Sequence, residues 1–266
     1  MTIGLLIDNQ DVPAVAGGTF ERRDPVRGDV ASRAAAGGVE DAMHAVEAAA
    51  AAFPAWSQTA PTARRTLLLK AADLMAARAD DFAATMTRET GATTPWGRFN
   101  ATLAANMLRE AAAMTTQIGG EVIPSDKAGC LSLAIRQAAG VCVGIAPWNA
   151  PVILGTRAVA LPIACGNTVV LKASELCPAT QRMIGEVLRD AGLPKGVINV
   201  VTNAPADAAA VVEALIVHPA VKRINFTGST RVGRIIAETA ARHLKPVLLE
   251  LGGKAPLIVL DDADLA

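Results

Sequence analysis

Five short apolar runs, at residues 141–145, 168–172, 197–201, 222–226 and 246–250, constrain this chain more than any other feature. They recur at intervals of roughly 25 residues with helical periodicity between them, the repeat from which a parallel sheet with crossover helices is built. The helices are punctuated: Pro178 opens one that Gly192 and Pro194 close, and Pro205 opens the next. The predicted fold class is α/β, a Rossmann-like parallel sheet with covering helices.

The region before this core reads differently. Residues 1–39 form an extended, loop-rich lead-in, with turn signals at Gly17-Gly18, Asp24-Pro25 and Gly37-Gly38. A helix is expected from near Glu40 to Phe53, and Pro61 opens a longer one. Leu67, Leu68, Ala71, Leu74, Met75, Phe82 and Met86 give that helix one apolar stripe, and Gly91 ends it. A further helix spans about Gly97 to Gln117. Gly119-Gly120 and Pro124 then break the pattern, and Leu131, Leu133 and Ile135 alternate as in a half-exposed strand, so residues 118–139 are expected to project as a β-hairpin arm. Ala255 to Leu260 reads as a last strand.

The chemistry concentrates between Val221 and Lys254. Lys222 to Phe226 runs into the turn Thr227-Gly228-Ser229, and Val232, Ile235, Ile236, Thr239 and Ala240 then recur at helical spacing. Gly228 lets the backbone approach an anion, while Ser229 and Thr230 can cap the helix N-terminus, where phosphates bind. The spacing of Gly228 and Gly233 is not GxGxxG, and no Lys-Ser/Thr pair makes a Walker loop, so the turn alone also fits any α/β connection. Glu250 is more specific. An acid ending a strand expected to be buried, beside such a turn, is where a general base would be placed.

With these residues in view, FTGSTRVG (226–233) and LELGGK (249–254) resemble, in order and separation, the two most recognisable motifs of the NAD(P)-dependent aldehyde dehydrogenases. GIAPWNAP (144–151) resembles that family's oxyanion motif and VVLKASE (169–175) its ribose-binding segment. By itself Asn149 could equally cap a helix; the resemblance implies an amide that stabilises an oxyanion. Lys172 and Glu175 could be a solvated pair, but the resemblance implies that they hold an adenosine ribose, with Ser174 beside them. It further implies cofactor contacts from Ile145, Ala146, Pro147, Trp148, Phe226, Gly228, Ser229, Val232, Leu251 and Gly252. Glu175 would repel a 2′-phosphate, which favours NAD over NADP.

The reaction so implied begins with a cysteine thiolate attacking the aldehyde, continues with hydride transfer to the nicotinamide, and ends with Glu250 activating water. Family members are nearly twice this length, and their nucleophile lies beyond the position of Glu250. The chain therefore reads as a truncated family fold: a NAD-binding domain at 1–117 and 140–254, an oligomerisation arm at 118–139, and the start of a catalytic domain at 255–266. A homodimer or homotetramer is expected of the whole protein. The alternative is a non-catalytic dinucleotide-binding or assembly module, if the chain naturally ends at residue 266. Where the family often has a lysine beyond the oxyanion Asn, this chain has Ala158 preceded by Arg157, and Thr202-Asn203-Ala204-Pro205 replaces the usual glycine-rich loop. Ala150 leaves room for a ring, Arg157 could hydrogen-bond a ring hydroxyl or form a surface ion pair, and Trp96 could wall the tunnel or pack in the core. The resemblance leans toward the salicylaldehyde- and vanillin-oxidising branch, hence toward an aromatic aldehyde.

Composition excludes other classes. Net charge is zero with no dense basic block, which argues against a nucleic-acid partner. No apolar run reaches the length of a membrane span, and no leader pattern is seen, so a cytoplasmic protein is expected. The four cysteines, at 130, 142, 165 and 177, show neither CxxC pairing nor a neighbouring histidine, so no metal site is expected and the thiols should line the core. His44, His218 and His243 are expected on the surface or in packing, and the absence of tyrosine removes the Tyr-Lys chemistry of short-chain dehydrogenases.

Overall fold

In the computed structural model, which describes residues 2–264, the five runs form five adjacent strands of one seven-stranded sheet, the last of them at its edge. The chain enters through β1 (Leu5–Ile7), β2 (Gln10–Val12), β3 (Thr19–Arg23) and β4 (Val30–Ala35), so the expected loop-rich lead-in is corrected to four strands. β1 and β2 join through Asp8 and Asn9, both left-handed at φ 53° and 64°, the conformation a two-residue hairpin turn needs and these side chains tolerate.

Next come α1 (Val39–Ser57), α2 (Pro61–Ala77), α3 (Ala79–Thr90) and α4 (Thr94–Met114). α1 continues past Phe53 and through Pro54 because its last turn is anchored: Trp56 is buried, and its Nε1 donates to the Ile163 carbonyl at 3.2 Å. The single long helix expected after Pro61 is two helices. Arg78 leaves helical geometry between them, and its guanidinium donates to Glu186 at 3.0 Å. A short hairpin of β5 (Glu121–Ile123) and β6 (Ser132–Ala134) follows, with Val122, Leu131 and Ile135 exposed.

The core then alternates as expected. β7 (Val141–Ile145), α5 (Pro151–Ala164), β8 (Thr168–Lys172), α6 (Pro178–Asp190) and β9 (Ile198–Val201) come first. A 3₁₀ turn at Pro205–Asp207 leads into α7 (Ala208–Val217), and β10 (Val221–Gly228), α8 (Thr230–Arg242) and β11 (Val247–Leu251) complete the order. Residues 255–260 are exposed and form no strand, a correction to the expected last strand: among the described residues nothing lies beside them to complete a ladder.

Strands run in the order β11-β10-β7-β8-β9-β1-β2. The five core strands are mutually parallel, but β1 lies antiparallel to β9 through Leu6 and Val200, so the sheet is mixed rather than wholly parallel. Side-chain alternation sorts the two faces. Leu6, Cys142 and Leu171 pack toward α2, α4, α5 and α6, while Leu5, Val143 and Val170 pack toward α1, α7 and α8. At Gly144 an added Cβ would lie 2.9 Å from the Ala158 Cβ, so the glycine is what lets α5 lie this close to β7.

One buried acid locks the helical layer. Glu89 of α3 accepts hydrogen bonds from Ser32, from the Ala179 and Thr180 backbone N–H groups, and from the Thr180 hydroxyl. It thereby caps the N-terminus of α6 and ties it to β4. Burial pushes its carboxyl above the usual range, and those four donors oppose the shift.

Candidate functional site

The sheet reverses its strand progression between β7 and β10, the place where open α/β sheets bind ligands beyond their carboxyl ends. A groove of about 790 Å³ opens there. Ile145, Ala146, Pro147 and Trp148 line one wall, Lys172, Ser174 and Glu175 a second, and Phe226, Gly228, Ser229 and Val232 the third. Eleven of the expected cofactor residues are thus brought together. Leu251 and Gly252 lie outside the groove, at and just beyond the end of β11. A larger cavity of about 1180 Å³ sits at the base of the hairpin, but it contains none of the motif residues.

Ser229 is the N-cap of α8, and its Oγ accepts from the Val232 N–H at 3.3 Å. The other first-turn N–H groups have no intrahelical partner and stand at the groove's rim. An added Cβ at Gly228 would lie 2.5 Å from the Phe226 ring, so only glycine fits between that ring and the turn. On the second wall, Lys172 is buried and its ammonium pairs with Glu175 Oε1. Asn203, wholly buried, donates through Nδ2 to the same oxygen at 3.1 Å. The pair is therefore an enclosed, hydrogen-bonded unit and not a solvated one.

Asn149 is exposed in the bend between β7 and α5, and Ala150 is the N-cap residue of that helix. Trp96 of α4 stacks on Phe99 and donates its indole N–H to the Asn149 carbonyl at 3.2 Å. A residue beyond the motifs holds two of these loops together. Gln181 donates to the Pro147 carbonyl at 2.9 Å and accepts from the Ser174 N–H at 2.7 Å, locking the Asn149 loop to the Glu175 loop. Its sequence signal was a polar residue inside the buried face of α6.

Glu250 departs from expectation. Its strand lies at the edge of the sheet, so the side chain is exposed, at 57%, and pairs with the Arg157 guanidinium. Arg157 also donates to the Thr227 hydroxyl at 3.1 Å, so the expected substrate cation and the expected base meet each other beside the groove turn.

The cysteines divide. Cys142 and Cys177 are buried, burial pushing the first thiol up to about 11 and the second well above its ordinary value. Cys130 on the hairpin and Cys165 at the C-cap of α5 are exposed, correcting the expectation that all four line the core. None of the four lines the groove. Among the described residues no cluster of acids, histidines and cysteines could hold a metal, and no helix is long and apolar enough to cross a membrane.

Known proteins resemble this chain in sequence and fold. A vanillin dehydrogenase of Pseudomonas fluorescens is 64% identical over 265 residues, covering 100% of this chain and 55% of that protein. The crystal structure of a salicylaldehyde dehydrogenase from Pseudomonas putida G7, complexed with salicylaldehyde, matches with a TM-score of 0.95 at 48% identity, over 99% of this chain and 55% of the other. PnpE in complex with nicotinamide adenine dinucleotide matches with a TM-score of 0.90 at 39% identity, over 96% and 52% of the two chains. The chain spans little more than half the length of these relatives. The aldehyde dehydrogenase family model matches residues 12–266, and the chain belongs to that family.

Proposed function

We propose that the protein oxidises an aromatic aldehyde, of the salicylaldehyde or vanillin type, to its carboxylic acid with NAD as hydride acceptor. The observation that carries this is the convergence of the groove, the Asn149 loop with Trp96, and the Arg157–Glu250 pair at one edge of the sheet.

The groove residues suit a dinucleotide: a glycine so close to Phe226 that a side chain there would displace the ring, a helix N-terminus for phosphate, and a half-buried carboxylate for ribose hydroxyls. NAD, when bound, supplies the acceptor for the hydride leaving the aldehyde carbon. Asn149 offers its amide N–H₂ to the developing oxyanion, and Trp96 fixes its backbone from behind. Glu250 serves as base toward water, which requires it to part from Arg157; the freed guanidinium then meets a ring hydroxyl or carboxylate. Glu175 disfavours a 2′-phosphate, and calorimetric titration should therefore show tighter binding of NAD than NADP. Equal affinities would remove Glu175 from this role, and Glu175→Gln should narrow the gap.

For the whole enzyme, kcat/KM should be higher for salicylaldehyde and benzaldehyde than for acetaldehyde. A preference for acetaldehyde, or a hydroxyl preference untouched by Arg157→Ala, would overturn the pocket assignment. Glu250→Gln should release NADH once and then stall; steady turnover at the parent rate would dismiss the base. Since no cysteine of this chain lines the groove, the 266-residue chain alone should bind cofactor without turnover. The same proposal includes a cytoplasmic location and a homodimer or homotetramer joined through the β5–β6 hairpin, whose exposed Val122, Leu131 and Ile135 suit burial against a second copy.

A further inference from the structure

The buried amide beside Glu175 belongs to none of the family-like motifs. Asn203 follows β9 and is 0% exposed. Its Nδ2 donates to Glu175 Oε1 at 3.1 Å and to the Ala204 carbonyl at 2.8 Å. Both partners are acceptors, so the amide orientation is fixed chemically: turned over, it would set its oxygen against a carboxylate and a carbonyl. The remaining atom, Oδ1, is buried with no partner among the described residues. A buried acceptor left unsatisfied carries a cost, so the position is held for what Nδ2 does. Lys172 Nζ reaches the same carboxylate oxygen. Two donors from different strand ends thus converge on Oε1, while Oε2 has no partner among the described residues and Glu175 lines the groove.

We propose that Asn203 is a positioning residue for cofactor selection: it clamps Oε1 of Glu175 so that Oε2 is presented in one orientation to the 2′-hydroxyl of the adenosine ribose. The inference rests on the reading of the groove as a dinucleotide site. It assigns a role to the stretch Thr202 to Pro205, which leads from β9 into the 3₁₀ turn. A glycine there carries no side chain to hold the carboxylate; asparagine adds a neutral donor, which fixes the acid without bringing a second positive charge beside Lys172. Lys172 alone would pair with Glu175 in several geometries, because an ammonium is a rotatable point charge. The amide removes that freedom, and the ordering is already made before cofactor arrives.

The test uses the chain as it stands, titrated calorimetrically with NAD and with NADP. Asn203→Ala should weaken NAD about tenfold and leave NADP nearly unchanged, so that the preference ratio falls about tenfold, the loss expected for one hydrogen bond to a charged group. Asn203→Ser, which keeps one donor, should restore part of the ratio and serves if the alanine variant does not fold. In a Glu175→Gln background the alanine substitution should add nothing, because the group it acts through has lost its charge. Parallel weakening of both cofactors would show a merely structural residue and overturn the proposal, as would an unchanged ratio or an undiminished effect in the Glu175→Gln background. A parent chain that binds neither cofactor would remove the groove reading itself, an outcome distinct from a parent that binds NAD and a variant that is indifferent.

Discussion

β8 and β11 are both five-residue apolar strands in the same sheet, TVVLK and VLLEL, yet they live in different surroundings. Every residue of β8 is buried, with helices on both faces and a strand on each side. β11 alternates between half-buried and exposed, has one neighbouring strand, and leaves Leu248 67% exposed. Burial is therefore a property of place in the sheet and not of the strand's own composition. The difference also sorts the charged side chains: Lys172, which pairs with Glu175, ends the enclosed strand, and Glu250 stands on the open one.

Substitutions measured by chemical unfolding can break or sharpen this contrast. Leu171→Ala, within β8, should lose about 2–5 kcal/mol, through removed methyl groups and the cavity left behind. Glu89→Gln, beneath the same helical layer, should cost about 1–3 kcal/mol, because an amide N–H₂ cannot accept from the donors that now meet a carboxylate oxygen. Arg157→Ala acts at the edge, where an exposed ion pair is worth at most about 1 kcal/mol and fades as salt is added. Leu248→Ser should change stability by no more than about 0.5 kcal/mol. If Leu248→Ser cost as much as Leu171→Ala, the edge would be covered in solution and the comparison would fail.

The same contrast explains what could be read from sequence. The core strands and their helices were legible because burial on both faces writes itself as an unbroken apolar run, as in Val169, Val170 and Leu171 of β8. Gly228 and Ser229 were legible because a tight turn and a helix cap each demand particular residues. β1 was not, since three residues give no period and its partner, around Val200, is far away in sequence. The break at Arg78 carries no glycine or proline, so no local signal marks where α2 ends and α3 begins. The exposure of Glu250 has no local signal, because VLLEL is as apolar as a central strand and only the strand order puts it at the edge. Gln181 shows in sequence only as a polar residue on a buried helix face, and Asn203 not at all as a site residue, because their groove partners come from other elements.

The antiparallel contact between Leu6 and Val200 also bears on how the chain is made. During synthesis the first strand leaves the ribosome long before the strand it must join, a wait of roughly 10–40 s at about 5–20 residues per second. Through that interval Leu5 and Leu6, both wholly buried in the finished fold, have no cover and invite chaperones or wrong partners. A rearranged chain in which the β1–β2 hairpin is transposed to follow β9 would abolish the delay while leaving the strand order of the finished sheet unchanged.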